Sequence, residues 1–290
     1  MSKKSSQMTP VTANHARESA MKALDRLPAL SQTVGQLLGT LAQSIPDIMR
    51  LERLINKDPA LAGLLLSVAN SAAYSRYSST SSTMDAISRL GYSKLKRFAL
   101  SQAFAKVFRF GRPAAVWSPT RFHLHSSAVG MAAELIADAL PVQDAEHAFL
   151  CGLMHDLGKL LIAVAFPDHW LRIDSYALHG GSPLDKEQEL LGVSHAELSA
   201  LAAERWKLPY PVYDAVRRHH SPSVEDANSI PLSRLVQASD GFVNSLGISV
   251  MNLKPEGDPI LPSFNGHFLD PERFSLQFKA EWETMSSLCF

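Results

Sequence analysis

Histidine and aspartate residues between positions 125 and 240 have the types and spacing to bind metal together. They are His125, His155, Asp156, His195, His219, His220 and Asp240. The sequence around them has the apolar periodicity of buried helices, where an ionisable side chain is costly unless it is paired or bound to a metal. Neutral imidazole and carboxylate are ligand types that suit Zn, Fe, Mn or Ni. We therefore predict a divalent-metal site formed by side chains from several helices.

The spacing of His155, Asp156 and Lys159 indicates what such a site could do. Adjacent helical residues point about 100° apart, so His155 and Asp156 could flank one ion while the carboxylate bridges to a second. Lys159 follows on the same helix, where its ammonium could reach a bound phosphate. A divalent ion polarises a phosphoryl oxygen and lowers the pKa of bound water, so Asp156 and Lys159 are candidate catalytic residues for phosphoester hydrolysis. Alternatively, His155 and Asp156 form a structural pair in which the carboxylate anchors the imidazole in the core, and Lys159 is a solvated side chain.

Two other positions also have alternative interpretations. His123 competes with His125, which we favour because it shares a helical face with Val129 and the apolar stripe that follows. His219 and His220 lie near the predicted C-terminal end of a helix, where they could serve only to favour the helix dipole.

Apolar residues recur with helical spacing along almost the whole chain, and strand patterns are scarce. In the first half we predict helices over Leu30–Gln43, Ile48–Ile55, from Pro59 through Val68, Met84–Leu90 and Ser93–Phe108, with a loop at Ser75–Thr83. In the second half we predict helices over Thr120–Leu140, Asp144–Val164, Ser194–Trp206, Tyr210–His220, Leu232–Leu246 and Pro271–Leu288. The sequence therefore predicts an all-α fold.

Glycine and proline positions divide this all-α fold into two lobes. Gly111-Arg112-Pro113 is the clearest boundary. We predict a flexible tail at residues 1–21, an N-terminal helical lobe at 22–112 and a metal-bearing helical lobe at 113–249. An irregular segment and a C-terminal helix complete the chain at 250–290.

Composition bounds the class of protein. The 290 residues contain 28 Lys+Arg and 28 Asp+Glu, so binding to nucleic acid or to an anionic membrane is not favoured. Cys151 and Cys289 form no CxxC motif, which indicates a reducing compartment. We expect that no apolar stretch approaches the length of a membrane span, and the polar start of the chain does not resemble a signal peptide. We expect a soluble cytoplasmic protein.

The residues around His155 are similar to a known signature. Gly152-Leu153-Met154-His155-Asp156-Leu157-Gly158-Lys159 closely resembles the motif of the HD superfamily of metal-dependent phosphohydrolases. The resemblance implies that His125 is the first metal ligand and Asp240 the last. His195, His219 and His220 match the additional histidines of the two-metal HD-GYP branch. However, Ser221-Pro222 stands where that branch has its Glu and GYP triplet, so cyclic-di-GMP hydrolysis is not implied.

The first lobe resembles the HDOD domain, a bacterial signalling relative of the HD hydrolases. The resemblance rests on Leu27-Pro28, Asp58-Pro59-Ala60-Leu61, Asn70-Ser71-Ala72-Ala73-Tyr74, Ala86-Ile87 and Leu90-Gly91, and it covers roughly residues 22 to 246. It implies a helical lobe packed on an HD-like lobe in an output or scaffold module. Many members have lost metal ligands, whereas this chain keeps the whole set.

These observations lead to three functional expectations. The first is a regulatory module that contacts other signalling proteins and holds one or two divalent ions (Fe, Mn, Ni, Zn or Mg). The second is a metal-dependent phosphohydrolase acting on a nucleotide or another phosphoester. The third is a module that captures a nucleotide or cyclic dinucleotide without cleaving it.

Overall fold

The structure is a computed structural model that describes residues 10–25, 27–30, 32–41, 47–71, 78–109, 111–224, 228–251, 260 and 262–286. Its helices are α1 (Pro10–Asp25), α2 (Gln32–Leu41), α3 (Ile48–Asn56), α4 (Pro59–Ala69), α5 (Thr83–Leu90), α6 (Tyr92–Phe108), α7 (Pro119–Ala137), α8 (Ala148–Met154), α9 (Leu157–Ala165), α10 (Pro167–Leu178), α11 (Pro183–Leu191), α12 (His195–Arg205), α13 (Tyr210–Arg218), α14 (Leu232–Ser245) and α15 (Pro271–Ser286). A short 3₁₀ turn, Ala145–His147, precedes α8. These described ranges contain isolated β-bridges but no strand, which confirms the all-α prediction.

Local sequence explains where the first-lobe helices begin. The Asp58 carboxylate accepts hydrogen bonds from the backbone N–H groups of Ala60 and Leu61, and Pro59 occupies the first position of α4. Asn70 ends α4, and its amide exchanges two hydrogen bonds with the Thr80 backbone, which fixes the start of the segment leading to α5. The rest of the resembling motif, residues 72–74, lies outside the described residues, as do residues 75–77 of the predicted loop.

The N-terminal segment differs from the expected flexible tail. Residues 1–9 lie outside the described part, but the chain is helical from Pro10 onward as α1. This helix packs against α9, α11 and α12, which belong to the predicted metal-bearing lobe. Ala20, Ala23 and Leu24 are buried, which explains why this segment is helical. Apolar contact with another lobe can stabilise a helix that local sequence alone does not predict.

The long helix predicted over Asp144–Val164 is also wrong, because it is interrupted at His155 and Asp156. In a continuous helix the Gly158 N–H would bond to the carbonyl of Met154, but here it donates to Ser199 Oγ on α12 at 2.8 Å. Asp156 has φ −100° and ψ 7°, outside the regular helical range. A tertiary hydrogen bond therefore replaces a helical one, and the chain turns at the two residues that matter most for chemistry.

Two further differences affect the second lobe. The helix predicted over Tyr210–His220 ends at Arg218, so His219 and His220 follow it. Two unpredicted helices, α10 and α11, occupy the interval before His195, and both begin with proline in their first turn.

Glycines allow close approach of the elements that carry the predicted site. A Cβ on Gly152 in α8 would lie 2.6 Å from the Gly130 Cα in α7. A Cβ on Gly158 would lie 2.0 Å from the His195 carbonyl oxygen at the start of α12. Both separations are far below van der Waals contact, so only glycine fits at these crossings.

A buried ion-pair network fastens the two lobes together. Glu134 on α7 accepts from Lys96 at 2.9 Å and from the guanidinium of Arg97, both on α6. Arg97 also pairs with Glu281 on α15. The carboxylates are needed here because two buried cations without partners would be strongly unfavourable.

The expectation that no stretch approaches the length of a membrane span is wrong, because the helical stretch Ala145–Ala165 has the length and hydropathy of one. Its best window has a mean hydropathy of 1.6, but 83% of that window is buried inside the fold and the stretch is broken at His155. Burial of this kind is what the core helices of a water-soluble protein show. We therefore assign it to the core.

The glycine crossing of α7 and α8 gives the first prediction. Gly152→Ala should lower the free energy of unfolding by about 1–3 kcal/mol, because the added methyl has no space against Gly130. The measurement is urea unfolding followed by circular dichroism. The matched control is Gly63→Ala in α4, where no atom lies within 4 Å of the new Cβ and the change should be neutral or stabilising. Equal effects of the two substitutions would contradict the close crossing.

Candidate metal centre

The seven residues singled out in the sequence converge from separate elements. His125 lies in α7, His155 and Asp156 in the α8–α9 break, His195 at the start of α12, His219 and His220 directly after α13, and Asp240 in α14. All except His220 and Asp240 are buried, with exposed fractions of 0–1%. Asp240 is partly exposed and His220 is exposed, so the group opens to solvent on the side of these two residues.

Backbone carbonyls orient three of the imidazoles. Nδ1 of His125 donates to the carbonyl of Ile248 at 2.8 Å, Nδ1 of His155 to that of Gly152 at 2.7 Å, and Nδ1 of His219 to that of Val216 at 2.7 Å. A carbonyl can only accept, so the proton is on Nδ1 and the Nε2 lone pair of each ring faces the interior of the site. This is the tautomer that binds a metal through Nε2.

The Asp240 cluster, formed by His125, His155, Asp156 and Asp240, has the dimensions of a coordination shell. His125 Nε2 lies 3.2 Å from Asp240 Oδ1 and 3.3 Å from Asp156 Oδ2. His155 Nε2 lies 3.6 Å and 3.4 Å from the same two oxygens. Ligands about 2.1 Å from a shared ion lie about 3.0–3.4 Å apart in octahedral or tetrahedral geometry, which is close to these separations.

The His220 cluster, formed by His195, His219 and His220, lies on the other side of Asp156. One nitrogen of each imidazole lies within 4.8 Å of the others. Asp156 Oδ1 is 3.3 Å from His195 Nε2, while Asp156 Oδ2 faces the Asp240 cluster. One carboxylate therefore faces both clusters, as a ligand bridging two ions would.

Several polar atoms at this centre have no hydrogen-bond partner. They are the buried Nε2 atoms of His125, His155 and His219 and the Oδ1 atom of Asp156. Buried polar atoms almost always have a partner, and each exception requires an explanation. The donor atoms of His155, Asp156 and His219 lie within 4.8 Å of one another, as do those of His125, His155 and Asp240. These nitrogen and oxygen donors therefore fit one or two divalent ions.

Electrostatics in the Asp240 cluster favour a positive charge. Although burial opposes the imidazolium form, the charge of Asp156 and hydrogen bonds to Asp156 and Asp240 raise the pKa of His155 to about 10. Although burial favours the neutral acid, the charge of His155 and of Lys159 holds the pKa of Asp156 well below its usual range. Without an ion, the carboxylates would draw a proton to His155, and a cation there would replace it.

His219 and His220 are held neutral instead, and burial is the main cause that lowers the pKa of His220 to about 3. Burial, followed by the neighbouring His220, His155 and His195 rings, holds the pKa of His219 well below its usual range. Neutral imidazole is the form that binds metal, so no proton needs to leave His219 on binding. His220 Nε2 and His195 Nε2 are 2.8 Å apart. Because His195 Nδ1 donates to Glu187, the lone pair of His195 is on Nε2, and His220 Nε2 donates the hydrogen bond between the two rings.

Lys159, expected to reach a phosphate, is in contact with the centre itself. Its ammonium donates to Asp156 Oδ2 at 2.7 Å, and the side chain is mostly buried. This contact offsets part of the negative charge of Asp156. The alternative of a fully solvated lysine is therefore wrong.

The structure resolves the choice between the two histidines of α7. His123 Nε2 lies 2.7 Å from Ser101 Oγ, and its ring packs against Phe108 between α6 and α7. His123 is therefore part of the lobe contact, whereas His125 joins the Asp240 cluster.

Sequence reasoning missed residues that orient the predicted ligands. Both Glu187 carboxylate oxygens accept from His195 Nδ1, at 2.9 and 2.7 Å, and Glu187 is fully buried. No periodicity links Glu187 to His195 because a turn at Gly192 separates them. Asn244 donates to Asp240 Oδ1 at 2.6 Å from one helical turn away, so i,i+4 spacing could have identified it.

The fold and the site together define a two-lobed helical protein with an HD-type group of histidines and aspartates. The family model of the HDOD domain matches residues 27–222 of the chain. The chain therefore belongs to the HDOD domain family, as the sequence resemblance predicted. It is also 24% identical over 201 residues to an uncharacterised protein of Treponema pallidum (strain Nichols); this match covers 68% of this chain and 38% of that relative's length.

Solved structures have the same fold. An HDOD domain protein of unknown function from Geobacter sulfurreducens superposes with a TM-score of 0.75, 22% identity, and coverage of 96% of this chain and 97% of that one. A candidate signal transduction protein from Marinobacter aquaeolei VT8 superposes with a TM-score of 0.72 and 20% identity, and the match covers 96% of this chain and 66% of that one. A candidate phosphohydrolase from Shewanella amazonensis SB2B superposes with a TM-score of 0.69 and 20% identity, and the match covers 94% of this chain and 98% of that one.

Because buried donor atoms around Asp156 have no hydrogen-bond partner, we predict that divalent ions stabilise the folded protein. An ion that binds only the folded state adds about 2.7 kcal/mol at 100 times its dissociation constant, which should raise the Tm by several degrees. Adding Mn²⁺ or Zn²⁺ to chelator-treated protein and measuring Tm by calorimetry tests this. Asp156→Asn should abolish the rise, while Asp168→Asn, an exposed aspartate of α10, should keep it. A rise that survives Asp156→Asn would place the ion elsewhere.

Proposed function

We propose that this protein is a regulatory module of bacterial signalling whose HD-like lobe binds one or two divalent ions. The seven proposed ligands are His125, His155, Asp156, His195, His219, His220 and Asp240. The observation that carries the metal proposal is the set of buried donor atoms without partners around Asp156. Membership of the HDOD family and likeness in fold to a candidate signal transduction protein support the regulatory role. We further propose that it acts in the cytoplasm through contacts with other signalling proteins.

The donor set narrows the choice of ion. Five of the seven proposed ligands are imidazoles, and imidazole suits Fe, Ni and Zn better than Mg, which prefers oxygen ligands and bound water. The Asp240 cluster supplies two nitrogens and two oxygens, and the His220 cluster supplies three nitrogens plus the second oxygen of Asp156. We therefore favour a transition metal over Mg.

The residues around the ligands would hold them in place. Glu187 fixes the ring of His195, and Asn244 fixes the carboxylate of Asp240. Lys159 holds Asp156 Oδ2, so the carboxylate keeps its orientation between the two clusters. Such supporting contacts commonly change metal affinity by about 10- to 100-fold when they are removed.

Metal content tests the proposal directly. Protein purified without chelator should contain near-stoichiometric transition metal by mass spectrometry, and His155→Ala/Asp156→Ala should remove it. Glu187→Gln should keep the fold and weaken metal affinity by about tenfold or more, because the His195 ring loses a carboxylate acceptor. His179→Ala, on an exposed histidine after α10, is the matched control and should retain the metal. Absence of metal even after reconstitution would refute the metal centre.

A second candidate function is metal-dependent hydrolysis of a nucleotide or another phosphoester. The observation in its favour is the open edge at His220 and Asp240, because catalytic metal sites leave a ligand position for water or substrate. Bound metal would polarise a phosphoryl oxygen and activate water. Under this hypothesis Asp156 would hold metal between the two clusters. Lys159 would keep the Asp156 carboxylate in place and offset its charge.

Turnover assays separate the two functions. If the protein is a regulatory module, metal-loaded protein should cleave bis(4-nitrophenyl) phosphate, nucleotides and cyclic dinucleotides no faster than Asp156→Asn treated identically. Metal-dependent turnover that Asp156→Asn abolishes and His179→Ala preserves would overturn the regulatory assignment and establish the hydrolase.

A further inference from the structure

A large cleft lies between the two lobes, and its lining contains none of the proposed metal ligands. Its volume is about 1130 Å³. One wall is formed by the segment before α2 and by residues of α2, α3 and α6. The other wall is formed by the 3₁₀ turn before α8 and by the end of α12 with the segment that follows. Clefts between lobes and of this size are common locations for small-molecule sites.

The charged lining of the cleft is predominantly cationic. Arg50 and Lys207 are exposed on opposite walls, and the described residues offer neither a carboxylate partner. Lys96 and Arg205 also line it, the first paired with Glu134 and the second with Asp25 in an exposed pair. Among the described residues that line the cleft, Glu146 is the one that carries a carboxylate. The two cations without carboxylate partners can therefore bind an anion without losing an existing ion pair.

The remainder of the lining is apolar and aromatic. Trp206 donates its indole N–H to the Pro28 carbonyl at 3.1 Å, so the surface it can offer a ligand is its apolar ring. Leu27, Leu30 and Leu208 lie in the same lining. A ligand that fits needs an apolar or planar body as well as a negative charge.

Amide groups add hydrogen-bonding capacity on the wall formed by α2. Gln32 and Gln36 line the cleft, and each amide can both donate and accept. A heterocyclic base presents donors and acceptors at its edge, whereas a lipid tail does not. The combination of cations, indole and amides is thus more suited to a nucleotide than to a fatty acid or to free phosphate.

We propose that the cleft between the lobes binds a nucleotide, with Arg50 and Lys207 contacting its phosphates and Trp206 contacting its base. The site is separate from the metal centre, so this binding does not depend on the proposed function. The protein would then have a ligand-sensing cleft in addition to its metal centre.

Calorimetric titration with ATP, GTP, GMP and a cyclic dinucleotide tests the proposal. The background is full-length Asp156→Asn with chelator present, so that binding at the metal centre does not contribute. At least one nucleotide should bind, and its parent nucleoside and inorganic phosphate should each bind at least tenfold more weakly. Arg50→Gln/Lys207→Asn should weaken the nucleotide at least tenfold; asparagine suits position 207 because Lys207 has a φ of 54°.

Matched variants make the test specific. Arg53→Gln removes an exposed cation from the same helix as Arg50 but outside the cleft, and it should leave nucleotide affinity unchanged. Trp206→Leu should weaken the nucleotide more than inorganic phosphate. No nucleotide binding at millimolar concentration would overturn the proposal. Binding that is equal for phosphate alone, or that Arg50→Gln/Lys207→Asn and Arg53→Gln reduce equally, would also overturn it.

Discussion

Asp156 is a fully buried carboxylate whose two oxygens face different sets of imidazoles, and the packing of the second lobe is arranged around it. A buried carboxylate is tolerated only if compensating charge surrounds it. Lys159 supplies one positive charge, and the histidines supply lone pairs that a cation can join. Three features of the backbone place these groups close together. They are the close crossing at Gly158, the break between α8 and α9, and the end of α13 before His219.

The sequence predicted the all-α fold and the residues that meet around Asp156 for identifiable reasons. Helical periodicity is local, and ionisable residues within apolar stretches indicate a buried site whatever their exact partners. It did not predict the interruption at His155 and Asp156, because that depends on Ser199, more than 40 residues further along the chain. Glu187 was missed for the same reason, since its contact with His195 depends on a turn and not on helical spacing. The helicity of α1 likewise arises from packing on the other lobe.

Two helices connect the metal centre with the cleft between the lobes. Residues before and within the first turn of α8 line the cleft, and α8 ends immediately before His155. Similarly, α12 begins at His195 and ends at Arg205 beside the cleft. The two sites are therefore built on shared rigid elements, although they use different residues and different chemistry. In the proposed regulatory role, a ligand bound in the cleft would contact the same helices that carry His155 and His195.

An anomalous difference map, collected at the absorption edge of the added ion from crystals of metal-reconstituted protein, would show whether metal binds around Asp156. We expect a peak between His125, His155, Asp156 and Asp240, with any second peak on the side of His195, His219 and His220. Asp156 should contact both ions when two are present. Peaks confined to other parts of the surface, with the Nε2 atoms of His125 and His155 still without a partner, would contradict the proposed metal centre.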